Sequence, residues 1–309
     1  MSNKITVFCF AICLCCLAIP LSAQIDMKEG TVQAIAYWDL NERQAYDIHE
    51  SDLSISKGDT TSVSMTNYTV NISVSDSTSY GYVLDWLRRQ YKFNNVDPLE
   101  AALGSALENY PIQLITNEYG GDVQVLNWED IRIHVNAQLD QLSTEYPSER
   151  SIKRIAKERK KYETKETVQD VAIHDITQFF AYHGAKYKLG EQIKANIKVA
   201  NNYGGDPLDA STAMVLDEII PGNDTYILKS FQNINPQQLT AVTYDYLSSL
   251  NIVEGAIPAF EDFPTIMKQI WGGSELHGST GWLIYSQESQ QVTSGENVTI
   301  QERIIELAQ

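Results

Sequence analysis

The sequence predicts an α+β protein in which an antiparallel, meander-rich β-sheet packs against amphipathic helices. Three observations predict it. Segments with an apolar residue at every second position recur in both halves of the chain. Stretches with apolar residues at helical spacing lie between them. Strand follows strand through short turns, and helices come in blocks of their own, which implies hairpin pairing and not βαβ crossovers.

Taken in order, residues 31–38 and 45–56 read as strands, the second ending at the turn Lys57-Gly58-Asp59. Residues 63–75 alternate, with Val70, Ile72 and Val74 on one face and Thr69, Asn71, Ser73 and Ser75 on the other. Asp76-Ser77-Thr78 turns the chain into a strand over 79–88, whose Tyr80, Tyr82, Leu84 and Trp86 share a side. Asp97 then caps a helix with Pro98 at its first position and a stripe of Leu99, Leu103, Ala106, Leu107 and Tyr110; Pro111 ends it. Residues 112–126 form a hairpin about the 117–121 turn. Asn127 caps a helix that buries Trp128, Ile131, Val135, Leu139 and Leu142. Further helices cover 148–162 and 167–183, the latter stopped by Gly184. Strands return with Ile193, Ala195, Ile197 and Val199, then with 210–220 and 225–231 around Pro221-Gly222-Asn223-Asp224. Asn235-Pro236-Gln237-Gln238 opens a helix as a capping box. A short helix near 264–271 and strands at 281–289 and 297–307 complete the chain. Residues 24–309 thus make one α+β domain, or two closely packed halves with a boundary near 145–165.

The N-terminus bounds the compartment. Lys4, an apolar run from Ile5 to Ile19, Pro20 and the small-residue end Leu21-Ser22-Ala23 make residues 1–23 a secretory signal peptide. All four cysteines, Cys9, Cys13, Cys15 and Cys16, fall inside it, and none has the small preceding residue that lipidation requires. The mature chain is therefore expected to start near Gln24, to lack disulfides and thiolate chemistry, and to be exported to a bacterial periplasm or beyond. No later run is long and apolar enough for a transmembrane span. The formal charge of −17 becomes −18 when Lys4 leaves, which argues against binding nucleic acid. The basic stretch from Arg150 to Lys161 is the exception. It reads as a solvated helix face or as a docking surface for an envelope protein partner.

Chemical signatures are sparse. The five histidines form no His-x-x-x-His pair, so no metal site is expected, and no glycine-rich loop marks a phosphate or cofactor site. Gly278-Ser279-Thr280-Gly281 lacks the spacing of a nucleophile elbow. Asp175 stands out because it falls within the apolar stripe Val168, Val171, Ala172, Ile176, Phe179 and Phe180, as does His183. A carboxylate there is either hydrogen-bonded by its surroundings or a general acid or base with a raised pKa. Asp175 and His183 are accordingly the catalytic candidates. Tyr80, Tyr82, Trp86, Trp271 and Trp282 are the ligand-binding candidates, as core aromatics or as an aromatic wall.

Three features together resemble a family of exported Bacteroidota proteins with a domain of unknown function. They are the signal ending in Ala23-Gln24, the turn-bearing strand Ile55-Ser56-Lys57-Gly58-Asp59, and the hairpin that leads from Gly120 into Asn127-Trp128-Glu129-Asp130. The resemblance implies export and a strand-rich α+β fold, and carries no activity. The expectation is a non-enzymatic envelope protein that binds an apolar or amphipathic small molecule, exported lipid carriers being an architectural analogy. The alternatives are an envelope hydrolase using carboxylate or histidine chemistry and a scaffolding component of an envelope complex.

Overall fold

The computed structural model describes residues 24–308 apart from 173, 202 and 250–256. The signal peptide read at 1–23 lies outside the described residues. Two short strands, β1 (Ile25–Asp26) and β2 (Thr31–Ala34), lead into a long meander of β3 (Arg43–Ser56), β4 (Asp59–Thr78) and β5 (Gly81–Asn94). Helix α1 (Pro98–Gly104) and strands β6 (Pro111–Ile115) and β7 (Gln124–Val125) follow. Four helices come next: α2 (Trp128–Glu145), α3 (Glu149–Lys160), α4 (Lys165–Ala172) and α5 (His174–Phe179). The second half runs β8 (Ala185–Lys188), β9 (Gln192–Val199), β10 (Leu208–Ile220), β11 (Thr225–Ile234), α6 (Pro236–Ser249), β12 (Ile266–His277), β13 (Leu283–Ser294) and β14 (Asn297–Leu307).

Eleven strands form one antiparallel sheet in the order β7-β6-β5-β4-β3-β14-β13-β12-β11-β10-β9. Strands on both sides of the 145–165 segment enter this sheet. They meet where β3 pairs with β14, with Ile48 opposite Ile305 and Glu50 opposite Arg303. A small sheet, β1-β2-β8, lies apart. The alternation in β4 holds: Val70, Ile72 and Val74 are buried, and with Tyr46, Ile48, Leu84, Trp86, Ile112 and Leu114 they form the inner face. Helices cover that face with Ile131, Val135 and Leu139 of α2, Val168 of α4, and Ile176 and Phe179 of α5. Phe179 stands edge-on to Tyr46 and Trp86, at 5.2 and 5.4 Å between centroids. A second cluster of Leu208, Ala210, Ile234, Leu239 and Ile266 lies under α6.

Several expectations need correction. Residues 266–277 form a strand, β12, so the helix expected near 264–271 does not exist. Ile266 and Ile270 are four apart and suit a helix, but they alternate equally well in a strand, and pairing with β11 and β13 on both sides decides. Of the helix expected over 167–183, the described residues up to Phe179 are helical apart from position 173, which lies outside the description, and the chain then turns to Gly184, whose φ of 91° a glycine adopts freely. Asn127 occupies the cap position of α2 but makes no capping bond. Its side chain instead ties down β6, accepting from Gln113 N at 2.9 Å and donating to Pro111 O at 2.9 Å. Asn235 does cap α6, accepting from Gln238 N, but the Gln238 side chain turns to Asp209 and leaves the reciprocal half of the box unmade.

Candidate functional site

A concave region lies between the inner face of β3, β4, β5 and β14 and the roof made by α1, α3 and α4. Its volume is about 480 Å³. Asp97 starts the roof: its carboxylate accepts from Leu99 N and Glu100 N, and Pro98 at the first position supplies the helical φ. This capping directs Leu103 and Leu107 towards Phe93 on β5, which with Val171 gives the cavity its apolar wall.

The floor is charged. Asp175, only 1 % exposed, receives Arg88 Nε at 3.0 Å, Arg88 Nη2 and the Tyr68 hydroxyl at 3.1 Å. Arg88 also donates to Ala172 O at 2.7 Å. Tyr68 lies 3.4 Å from Glu50 Oε1, and Glu50 in turn accepts from Arg303 Nε at 2.6 Å. A continuous polar chain therefore runs from α5 through β5, β4 and β3 to β14. Tyr91 stacks on Tyr68 at 4.5 Å, and Phe93 stacks on Tyr91 at 5.7 Å. Burial alone would raise the Asp175 pKa, but the Arg88 guanidinium overcomes it and holds the carboxyl below the usual carboxylate range. Burial, joined by the Asp175 and Glu50 charges, pushes the Tyr68 phenol well up.

These partners correct the acid–base expectation for Asp175. A raised pKa required an unpaired carboxyl. Arg88, 87 positions earlier, supplies the missing charge and keeps Asp175 ionised and occupied. His183 is half-buried, and desolvation pushes it down to about 4, partly opposed by its hydrogen bond to Gly281 O at 2.8 Å. It packs among Trp38, Phe179 and Phe180 and shares no hydrogen-bond partner with Asp175 among the described residues. With its pKa depressed, it lies against the aromatic core as a neutral histidine near pH 7. The described residues contain no group of three or more His, Cys, Asp or Glu placed to hold a metal ion.

The five aromatic candidates do not form one wall. Tyr80 sits at the tip of the β4–β5 hairpin, 84 % exposed. Tyr82 packs against Trp38 and donates to Ala36 O at 3.1 Å. Trp86 is fully buried, and Trp282, 3 % exposed, stacks on Trp38 at 4.4 Å. Trp271 alone among the tryptophans of this set reaches the opposite face of the sheet, 39 % exposed. The cavity residues that sequence reasoning missed are Arg88, Tyr68, Glu50 and Arg303. Arg88 carried one signal: it continues the apolar parity of Leu84 and Trp86 along β5, as Asp175 interrupts its own stripe.

The basic face on α3 is largely neutralised from within. Lys153 pairs with Glu149, Arg154 with Asp97 and Glu100, Arg159 with Asp140, and Lys161 with Glu158. No helix among the described residues is long and apolar enough to cross a membrane.

No protein-family model matches the chain, and no curated protein matches it. Among solved structures, it is similar to lipovitellin, determined for its lipid–protein interactions, with a TM-score of 0.42 and 9 % identity over 88 % of this chain. The chain spans only 26 % of that protein's length. It is also similar to the outer membrane protein Omp33 of Acinetobacter baumannii, with a TM-score of 0.19 and 8 % identity, over 89 % of this chain and 100 % of the other. An outer membrane channel of Pseudomonas putida F1 gives a TM-score of 0.17 and 6 % identity, over 89 % and 98 % of the two chains. At such scores these likenesses say nothing about ligands, and the site's chemistry stands on its own geometry.

Proposed function

We propose that this is an exported, non-catalytic binding protein of the bacterial cell envelope that holds an amphipathic small molecule under α1. One observation carries the reading. The cavity sets an apolar wall of Phe93, Leu103, Leu107 and Val171 against a floor of Arg88, Asp175, Tyr68, Glu50 and Arg303. An apolar body placed on the wall leaves water, while a polar end meets side chains whose mutual bonds hold them in place. A purely apolar ligand fits less well, because it would strip water from Glu50 and Asp52 and offer no hydrogen bond in return. A hydrolase using Asp175 is disfavoured by the Arg88 pairing, which leaves the carboxylate no freedom to exchange protons near neutral pH. The affinity to exported Bacteroidota proteins is part of the same proposal and rests on the residues that suggested it.

The test is native and denaturing mass spectrometry of the protein purified after export from a bacterial host, followed by titration with lysophospholipids and long-chain alkylamines. The expected results are a denatured mass beginning at Gln24 and an adduct that is lost on denaturation or regained from one of these amphiphiles. Gly104→Phe places a ring beside Phe93 Cε1, which lies 3.8 Å from the position of the new Cβ. It should abolish the adduct without unfolding the chain. A bare mass together with no uptake of any probe would sink the proposal.

A further inference from the structure

A second depression lies on the other face of the sheet, where β11, β12 and β13 run side by side. Its volume is about 430 Å³. Tyr226 and Leu228 point into the core, so Ile227 and Lys229 point outward. The register then places Lys229, Gly273 and Gln287 in one outward row, with Trp271 and Glu275 on either side of Gly273 along β12. Gly273, with no side chain, lies at the middle of its floor.

The two adjacent glycines have different causes. A Cβ on Gly272 would sit 2.6 Å from Ser230 Oγ and 3.4 Å from Tyr182 Oη, and those two hydroxyls are hydrogen-bonded on the inner face. Packing therefore excludes a side chain at Gly272. A Cβ on Gly273 would meet nothing nearer than Leu228 O at 3.9 Å, and Gly273 is not among the glycines with positive φ. Neither space nor backbone requires glycine there, and glycine within a strand costs about 0.5–1 kcal/mol. The register shift lies further on, between Glu275 and Leu276, which leaves close approach of another molecule as the remaining use for a glycine at this position.

The rim indicates the class of that molecule. Trp271, braced by Phe231 at 5.9 Å, and Tyr285 present aromatic surface on two sides. Polar groups are held ready between them. Lys229 is fixed by Asp217 at 2.7 Å, Gln287 by Glu302 at 2.6 Å, and Glu275 by Thr225 at 2.7 Å. Lys229 and Glu275 are the charged groups of the lining, and the Asp217 and Glu302 carboxylates behind Lys229 and Gln287 leave no net positive charge to attract an anion. A neutral ring with apolar C–H faces and equatorial hydroxyls matches that combination. An extended peptide does not, since β12 is paired on both sides and has no free edge.

We propose that the depression over Gly273 binds one ring of a neutral saccharide, stacked on Trp271 with its hydroxyls on Glu275, Gln287 and Lys229. The probes are neutral hexasaccharides of the malto-, cello-, xylo-, manno- and N-acetylchito- series, tested by calorimetry and by saturation-transfer NMR on the full exported chain. At least one should bind, and Trp271→Ala should weaken it roughly tenfold or more, while Trp271→Phe retains most of the affinity. Gly273→Val should remove binding while leaving the melting temperature unchanged or higher, because a β-branched side chain fills the depression and suits the strand. Two results overturn the proposal: no series binds, or binding persists in both Trp271→Ala and Gly273→Val. Neither variant touches the cavity under α1, so uptake of amphiphiles reports on that site independently.

Discussion

The cavity under α1 and the depression over Gly273 are concave for opposite reasons. The inner one is framed by what is present: charged side chains from three strands and α5, joined by Tyr68 of β4, fastened to one another beneath a helical roof. The outer one is framed by an omission in an otherwise continuous strand surface. The inner groups also hold the fold, so substitutions there should act first on stability. The outer groups hold little, so substitutions there should act on recognition alone.

The sharpest way to break that contrast is to uncouple the inner pair. Asp175→Asn leaves the Arg88 guanidinium buried and uncompensated, and should cost about 3–5 kcal/mol in urea denaturation. Arg88→Met combined with Asp175→Leu should recover much of that loss, since an apolar pair of similar volume needs no desolvation. A loss below about 1 kcal/mol for Asp175→Asn would show that the network is not structural, and the contrast would fail.

Next in size is a pH effect. Desolvation pushes His183 down to about 4 in the folded chain, from the ordinary 6.5 of an unfolded one. Its folded pKa is depressed, so its neutral form contributes stability fully above about pH 6.5, and that contribution disappears as the pH falls towards 4. The linkage amounts to roughly 3 kcal/mol across the window. Denaturation midpoints measured at pH 7, 5.5 and 4 should fall accordingly, and His183→Gln should flatten the slope. Asp175 acts in the same direction at lower pH: its depressed pKa gives stability above the unfolded carboxylate range that is lost as the pH drops through the folded value.

The smallest expected effects sharpen the comparison most. Gly272→Ala should destabilise by about 1–2 kcal/mol, because it displaces the Ser230–Tyr182 hydrogen bond. Gly273→Ala, one residue away, should be neutral or stabilising by up to about 1 kcal/mol. Thermal melts of the two variants side by side decide the matter, and equal losses would erase the distinction between the two faces.

Sequence periodicity reached the fold better than the site. Ile131, Val135, Leu139 and Leu142 defined the buried face of α2 without help, because a long helix repeats its signal five times over. The β4 alternation was equally readable. β12 was not: its inward positions pass through Lys268 and Gly272, so the two-residue period breaks where the fold needs a gap. Asp175 was legible as an anomaly, but its resolution lay in Arg88, Tyr68 and, through Tyr68, Glu50, which only tertiary pairing brings together. Trp282 and Trp271 sit eleven positions apart in sequence and on opposite sides of the sheet. No local pattern separates a stacked core indole from an exposed one.

The pairing of β3 with β14 also sets an order on folding. The first long strand of the sheet finds its neighbour in the last, and Arg303 on that final strand completes the chain of charges begun at Arg88. Until residues 297–307 have emerged, each half presents a long unpaired edge, one along β3 and one along β13. A nascent chain can assemble its two meanders separately but cannot join them. A truncation that removes β14 should yield two sticky half-sheets, recovered as aggregate and not as a smaller folded protein.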